Sequence, residues 1–181
     1  MPANQHPGHK PLAWGRSVSR EFRNELRRIA DLLAVEPDWL MACMAFESGR
    51  TFSPGVLNAA GSGAVGLIQF MPSTAAALGT TTAALSRMSA VGQLEYVLRY
   101  FLPREGRLRN LGDVYMAILW PVAVGKPDTY VLFDRADAKY PKRYVQNAGL
   151  DFNRDGRITR GEACARVTAM LADGQKPENA A

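Results

Sequence analysis

A single carboxylate ends an otherwise apolar run in this sequence. Residues 40–46 carry no charged or hydrogen-bonding amide or hydroxyl side chain, and Glu47 follows them directly. Seven such residues in a row are typical of a helix that is buried on all sides. An apolar setting raises the pKa of a carboxylate, which is what a general acid near neutral pH requires. Glu47 is therefore the first candidate for catalysis, and the alternative is an exposed glutamate in the last turn of a helix.

A second group of residues, in the stretch DFNRDGRITRGE at 151–162, has the spacing of an EF-hand calcium loop. Gly156 stands where this loop makes its tight turn, and hard oxygen ligands stand at the positions that calcium uses. These ligands are Asp151, Asn153, Asp155, the main-chain carbonyl of Arg157, and Glu162. Because sensor proteins generally pair two such loops and this chain has one, we expect one structural Ca²⁺. The alternative is an acidic surface turn that binds nothing.

The segment after Glu47 is irregular and lacks acidic residues. Residues 49–71 are rich in Gly, Ser, Pro and Asn, and no Asp or Glu occurs between Ser48 and Leu94. Long ordered loops in compact domains tend to be functional. Glycosidases usually use two facing carboxylates, so either a distant carboxylate folds back or the reaction needs only Glu47. Glu95 is the nearest candidate, and its place on an amphipathic pattern predicts that it faces solvent.

Three motifs carry a family resemblance. The pair Glu47-Ser48, the stretch Gly66-Leu67-Ile68-Gln69-Phe70 and the sequence MPSTA at 71–75 resemble the soluble lytic transglycosylases and goose-type lysozymes. The resemblance covers residues 20–135 and is closest to phage or prophage members of the endolysin type. It implies a lysozyme-like α-helical fold. It also implies cleavage of the β-1,4 bond between N-acetylmuramic acid and N-acetylglucosamine in peptidoglycan.

The resemblance assigns roles to particular residues. Glu47 would be the catalytic acid, and Ser48 would orient its carboxyl group or contact the substrate. Gly66, Leu67, Ile68 and Gln69 would line the cleft, with Gln69 contacting an N-acetyl sugar. A lytic transglycosylase uses its glutamate twice and leaves 1,6-anhydromuramic ends. A muramidase that hydrolyses the same bond with water is the alternative, and a non-catalytic wall-binding or calcium-binding module is an alternative of another class.

One motif of the family is missing. Its usual Ala-Tyr-Asn-Ala-Gly stretch corresponds here to Ala-Ile-Leu-Trp-Pro at 117–121. The residue that completes the sugar subsite is therefore left open. Tyr115, Trp120 and Tyr130 are candidates for stacking on a sugar, and each is equally a candidate for core packing.

The surrounding pattern predicts a mainly α-helical protein. Helices are expected from Ser17, over 37–48, from Pro72, from Ser89, over 111–120 and over 162–172, and no strand of useful length is indicated. We predict a flexible lead-in at 1–16, a lysozyme-like catalytic domain at 17–140, an EF-hand-like calcium-binding segment at 141–174 and a tail at 175–181.

Composition narrows the range of partners. The net charge of +5 and pI near 9.5 favour anionic partners, here bacterial peptidoglycan. No nucleic-acid motif and no membrane-spanning run occurs, and we expect a monomer without membrane insertion.

No signal peptide is recognisable, so we expect synthesis in the cytoplasm and delivery to the periplasm or cell wall by a holin, a virion or a secretion system. An effector delivered between bacteria, for example by type VI secretion, would be accompanied by an immunity protein.

Overall fold

A computed structural model describes residues 10–59 and 61–181. The described residues are mainly helical, which confirms the predicted fold class, and none of their helices is long and apolar enough to cross a membrane. The α-helices are α1 (Arg20–Leu33), α2 (Pro37–Glu47), α3 (Pro72–Ala77), α4 (Thr82–Ser86), α5 (Ala90–Phe101), α6 (Leu111–Leu119), α7 (Pro141–Asn147) and α8 (Arg160–Gly174). Short 3-10 helices occur at Gly15–Ser17, Leu102–Arg104, Pro121–Ala123 and Ala148–Leu150.

Helix α2 lies at the centre of the fold. It packs against α1, α6 and α8, and residues 40–45 are fully buried. An amphipathic helix has one covered face, whereas this helix is covered on several sides and therefore carries no polar stripe. The helix ends at Glu47, because Gly49 takes a left-handed conformation with φ of 61°. The carboxylate thus stands where the central helix reaches the surface of the core.

The helix starts follow the capping residues in the sequence. The Ser19 and Ser89 hydroxyls accept hydrogen bonds from the backbone N–H groups of Phe22 and Gly92, and Pro72 is the first residue of α3. The short helix α4 was not predicted. Its cap, Thr81, accepts from Ala84 N–H, but five residues are too few to show a helical period.

Two short strands, β1 (Val131–Asp134) and β2 (Arg157–Thr159), form an antiparallel pair. The sequence analysis found no strand, because runs of three or four residues are too short to show an alternating pattern. Strand β2 lies inside the predicted calcium loop, and β1 precedes the predicted boundary at residue 140. The sheet therefore joins the two segments that the sequence analysis separated, and the packing of α8 on α2 and α6 joins them again.

The two chain ends of the described structure pack together. The sequence analysis predicted a flexible lead-in at 1–16, of which residues 1–9 lie outside the described residues. Residues 12–15 are instead buried, and Leu12 and Ala181 exchange backbone hydrogen bonds of 2.9 and 3.2 Å. Buried Asp38 accepts from Ala13 N–H at 2.9 Å and from the Gln175 side-chain amide at 3.0 Å. Residues 10–16 and the tail at 175–181 thus belong to the folded unit, because a carboxylate on α2 binds both.

Candidate active site

Glu47 combines partial burial with an absence of partners. Within the described part of the chain, no hydrogen bond or ion pair reaches its carboxylate, although the residue is only partly exposed. Burial raises the pKa of Glu47 from its ordinary value of 4.5 to about 7. A carboxyl group in this state is protonated over much of the neutral range and can donate a proton.

The Glu47 carboxylate opens into a pocket of about 340 Å³. Two structural features of the pocket matter for chemistry: its aromatic side next to Glu47, and the absence of a second carboxylate among its lining residues. The lining residues are Phe46, Glu47, Tyr115, Leu119, Gln146, Asn147, Gly149, Leu150 and Arg166. Glu95 does not line this pocket. It faces solvent, as the sequence predicted, and pairs there with Arg99 at 2.9 Å.

Two tyrosines lie close to Glu47. Burial and, to a smaller extent, the nearby Glu47 carboxylate raise the pKa of both Tyr100 and Tyr115. The Tyr100 hydroxyl donates to the Ala117 carbonyl at 2.5 Å and is therefore occupied. The Tyr115 ring meets Phe46 edge to face at 5.5 Å, and its hydroxyl has no hydrogen-bond partner among the described residues. Tyr115 therefore offers the pocket a polar hydroxyl, whereas its ring is packed and cannot stack on a sugar.

The predicted role of Ser48 needs correction. Ser48 is 1% exposed, its hydroxyl donates to the Met44 carbonyl at 2.6 Å, and it accepts from Phe52 N–H at 3.0 Å. The single hydroxyl proton is thus donated to a backbone carbonyl, so the Ser48 hydroxyl does not donate to the Glu47 carboxylate. Because the residue is buried, it also does not reach substrate. Ser48 instead fixes the turn by which the chain leaves α2.

The loop at 66–69 is held by a buried glutamine that the sequence analysis missed. Gln93 on α5 accepts from Leu67 N–H at 2.7 Å and donates to the carbonyls of Pro54 and Leu85. Gly66 has a φ of 84°, and a Cβ there would lie 2.3 Å from the Gln93 side-chain oxygen. Any larger residue would therefore displace this buried amide.

The predicted cleft residues Gly66, Leu67, Ile68 and Gln69 do not line the Glu47 pocket. Leu67 and Ile68 are buried in the core, and the Gln69 amide donates to the carbonyls of Val56 and Gly66. Leu67 and Ile68 thus offer no side chain to a ligand. The sequence motif instead specifies a rigid turn, with Gln69 itself at a φ of 52°.

The other aromatic candidates lie outside the Glu47 pocket. Trp120 packs edge to face on Phe133 at 5.3 Å and lies under the Arg143 guanidinium at 4.9 Å. Tyr130 is half-buried beneath Lys126, and its carbonyl accepts from Arg160 N–H. Both residues therefore contribute to packing around the β1–β2 sheet and are not brought to Glu47.

The far wall of the pocket comes from the C-terminal segment. Gln146 and Asn147 end α7, Gly149 and Leu150 lead into the predicted calcium loop, and Arg166 lies on α8. Arg166 donates to the Gly149 carbonyl at 3.0 Å and stacks on Phe152 at 4.9 Å. The sequence analysis missed this wall because its residues lie about 100 positions from Glu47 and carry no motif.

The predicted calcium loop leaves two buried carboxylate oxygens without partners. Asp151 accepts from the Tyr144 hydroxyl at 2.6 Å and from Gly156 N–H at 3.0 Å through one oxygen only. Glu162 accepts from the Thr159 N–H and hydroxyl, also through one oxygen. The second oxygens of Asp151 and Glu162 are buried and unpaired within the described structure. Unpaired buried carboxylate oxygens are costly unless a cation binds them.

The donors of the loop fit calcium, although they are not gathered around one point. All the side-chain ligands are oxygens, Gly156 makes the turn with a φ of 87°, and strand β2 within the loop pairs with β1. Across the described ranges, no three His, Cys, Asp or Glu side chains come close enough to hold a metal. Closure around an ion would therefore need Asp155 and Glu162 to approach Asp151.

A comparison with known families identifies the segment that carries Glu47. Residues 26–91 match the family model of the transglycosylase SLT domain. This SLT match begins in α1 and ends in α5, so it includes Glu47 and the Gly66–Gln69 turn but stops two residues before Gln93, which holds that turn. It covers little more than a third of the 181 residues, and the α6, α7 and α8 walls of the pocket lie beyond it. No curated protein matches the chain.

Proposed function

We propose that this protein is a lytic transglycosylase that cleaves the β-1,4 bond between N-acetylmuramic acid and N-acetylglucosamine in peptidoglycan. The observation that carries the proposal is the Glu47 pocket, which holds one carboxylate with a pKa of about 7. The SLT match over residues 26–91 supports the same substrate class.

The proposed reaction uses Glu47 first as an acid and then as a base. The protonated carboxyl group gives its proton to the glycosidic oxygen as the bond from that oxygen to the muramic acid C1 breaks. The resulting carboxylate takes the proton from the C6 hydroxyl of the same sugar, whose oxygen then bonds to C1. The products are a free sugar hydroxyl and a 1,6-anhydro ring, and Glu47 is protonated again. No water is consumed, so no second carboxylate is needed to activate one.

The experiment that tests the proposal is a product analysis. Purified peptidoglycan is incubated with the protein, and the soluble fragments are separated and analysed by mass spectrometry. We expect 1,6-anhydromuramic ends, which are lighter than reducing ends by one water. Reducing ends would instead identify a muramidase, and an absence of soluble fragments would favour a wall-binding module without activity.

A dependence on pH follows from the raised pKa of Glu47. The first step needs the protonated form, so we expect kcat/KM to fall about tenfold per pH unit above pH 7. Initial rates on solubilised glycan strands between pH 5 and 9 measure this profile. A rate that is flat up to pH 9 would contradict Glu47 as the acid.

We also propose that the 151–162 loop binds one structural Ca²⁺. Asp151, Asn153, Asp155, the Arg157 carbonyl and Glu162 would hold it, and the unpaired oxygens of Asp151 and Glu162 support this assignment. The ion would supply positive charge that offsets three loop carboxylates. Since Leu150 lines the Glu47 pocket and Asp151 follows it, the loop also fixes one edge of that pocket.

Removal of calcium is expected to lower stability. An ion that binds only the folded state stabilises it by about 2.7 kcal/mol at a hundredfold excess over its Kd. Chelation should therefore lower the Tm in a thermal unfolding experiment, and Ca²⁺ should restore it better than Mg²⁺, whose octahedral geometry suits the loop poorly. Asp151→Ala should abolish the calcium-dependent shift, whereas Asp31→Ala, an exposed change on α1, should keep it. An identical Tm with Ca²⁺ and with chelator would refute the site.

A further inference from the structure

Arg135 lies over the tight turn of the predicted calcium loop, although it belongs to another segment of the chain. It follows strand β1 directly, and its backbone N–H donates to the Gly156 carbonyl at 2.8 Å. Its side chain passes across Gly156, 3.6 Å from the position that a Cβ on this glycine would take. The β1–β2 pairing thus brings to the loop a cation that is not part of the calcium motif.

The Arg135 side chain is connected to Asp151 through a tyrosine. Its guanidinium donates to the Tyr144 hydroxyl at 2.8 Å and lies over the ring of the same residue at 5.0 Å. The Tyr144 hydroxyl in turn donates to one carboxylate oxygen of Asp151, Oδ2, at 2.6 Å. A chain of hydrogen bonds therefore runs from the guanidinium to the first predicted ligand of the loop.

Tyr144 orients the Asp151 carboxylate for an ion. The Oδ2 atom accepts from both the Tyr144 hydroxyl and the Gly156 N–H, whereas the other oxygen, Oδ1, is buried and has no partner within the described residues. Hydrogen-bond partners behind a metal ligand hold it in the orientation that binding requires. Because Tyr144 is itself buried, its hydroxyl is fixed by packing, and it leaves Oδ1 for the ion.

The charge of Arg135 acts in the opposite direction. One of its guanidinium nitrogens lies 3.9 Å from Oδ2 of Asp151, which is an ion-pair distance. A positive charge this close to a ligand carboxylate lowers the attraction of that carboxylate for a second cation. The Arg135 side chain is 64% exposed and borders an open cavity of about 460 Å³, so it has room to move away from Asp151 when an ion binds.

We infer that Tyr144 and Arg135 set the calcium affinity of the 151–162 loop in opposite directions. Tyr144 raises the affinity by orienting Asp151, whereas Arg135 lowers it by competing with the ion for the same carboxylate. The inference rests on the proposed calcium site. Its consequence is that Arg135 offsets part of the loop charge at low calcium, so the segment folds without the ion and gains stability when calcium becomes abundant.

Calorimetric titration of the full chain with Ca²⁺ measures the two effects. Arg135→Met removes the charge and keeps a long side chain, so the Kd should fall about two- to fivefold, the scale of one exposed ion pair. A gain in affinity is a result that misfolding could not produce. Tyr144→Phe removes only the hydroxyl and should raise the Kd about tenfold or more, the usual loss for a partner behind a metal ligand.

Two further variants show whether the Arg135 effect is one of charge. Arg135→Lys keeps the charge without the planar guanidinium and should keep the Kd within about twofold of the wild-type value. Arg99→Met removes an exposed cation on α5 and should leave the Kd unchanged. Added salt should reduce the difference between Arg135→Met and the wild type, because exposed charges are screened. In chelator, Arg135→Met should have a lower Tm than the wild type, since Asp151 then has no cation beside it.

The outcomes separate these roles from the calcium site itself. If Arg135→Met binds Ca²⁺ no more tightly than Arg99→Met, or if Tyr144→Phe binds it as tightly as the wild type, the roles are wrong while the calcium site stands. If neither the wild type nor Arg135→Met binds Ca²⁺ in the titration, the calcium site is refuted and the roles of both residues with it.

Discussion

Glu47→Gln is expected to lower activity on peptidoglycan by at least about two orders of magnitude, the scale of losing a general acid. Glutamine keeps the shape of the side chain and its hydrogen-bonding capacity, but it has no proton to transfer. Glu47 has no partner to lose in the described structure, so the substitution should leave the fold intact. Release of soluble fragments, followed over enough time to detect a hundredfold slower rate, measures the effect. Near-normal turnover would remove Glu47 from the mechanism.

Two controls make this result specific. Glu95→Gln changes the first acidic residue that follows Glu47 along the chain. It pairs with Arg99 on an exposed face, so its substitution should reduce activity little. The second control is stability: the folded protein keeps the Glu47 proton between pH 4.5 and about 7, whereas the unfolded chain releases it. Wild-type stability should therefore fall as pH rises through this range, and Glu47→Gln should lack that fall. Equal losses of activity for Glu47→Gln and Glu95→Gln would contradict a single-carboxylate reaction.

The sequence predicted the parts of the fold that depend on local chemistry. Ser89 caps α5 and Pro72 begins α3, as expected, and the helix expected from Ser17 begins at Arg20 with Ser19 as its cap. The apolar spacing of Phe22, Leu26, Ile29 and Leu33 on α1 corresponds to buried side chains. These signals lie within one or two helical turns, so a single sequence shows them.

Contacts between distant residues could not be predicted in this way. Residues 10–16 were assigned to a lead-in because they contain Pro and Gly, yet Asp38 and Ala181 hold them against the core. In the sequence, Gln93 is an ordinary polar residue on α5. Its role in holding the 66–69 loop depends on one N–H group and two carbonyl groups that the fold brings to its side chain. Burial of an amide is not visible in a hydrophobic pattern, because the pattern counts Gln as exposed.

The same difference between local signals and distant contacts applies to the candidate site. Glu47 was identified because one carboxylate after an apolar run is a local anomaly. Ser48 and Leu67 were assigned to substrate by family resemblance, and the structure shows that the hydroxyl of the first and the side chain of the second face inward. Gln146 and Arg166, which do line the pocket, come from a segment that the sequence connected only with calcium.

A buried ion pair connects this C-terminal segment to the core. Arg160 begins α8 and lies within the predicted calcium loop, with its side chain only 7% exposed. Its guanidinium pairs with buried Asp113 on α6 at 3.0 Å and also binds Asp128 and Asn110. Helix α6 carries Tyr115 and α8 carries Arg166, so this pair fixes two walls of the Glu47 pocket relative to each other. No local pattern predicts this ion pair, since Arg160 and Asp113 are 47 positions apart.

Arg160→Met is therefore expected to destabilise the protein by about 3–5 kcal/mol, the usual loss when one partner of a buried pair is removed. The substitution leaves the Asp113 charge buried, with only the Arg109 and Gly125 N–H groups as hydrogen-bond donors. Urea unfolding of the variant and the wild type measures the difference.

Arg99→Met, which breaks the exposed pair with Glu95, should cost less than about 1 kcal/mol and serves as the matched control. Adding Asp113→Asn to Arg160→Met removes the uncompensated charge and should recover part of the loss, because the carboxamide oxygen can still accept from the backbone. If Arg160→Met costs no more than Arg99→Met, the pair does not hold α8 against α6, and the position of Arg166 beside Glu47 must depend on apolar packing alone.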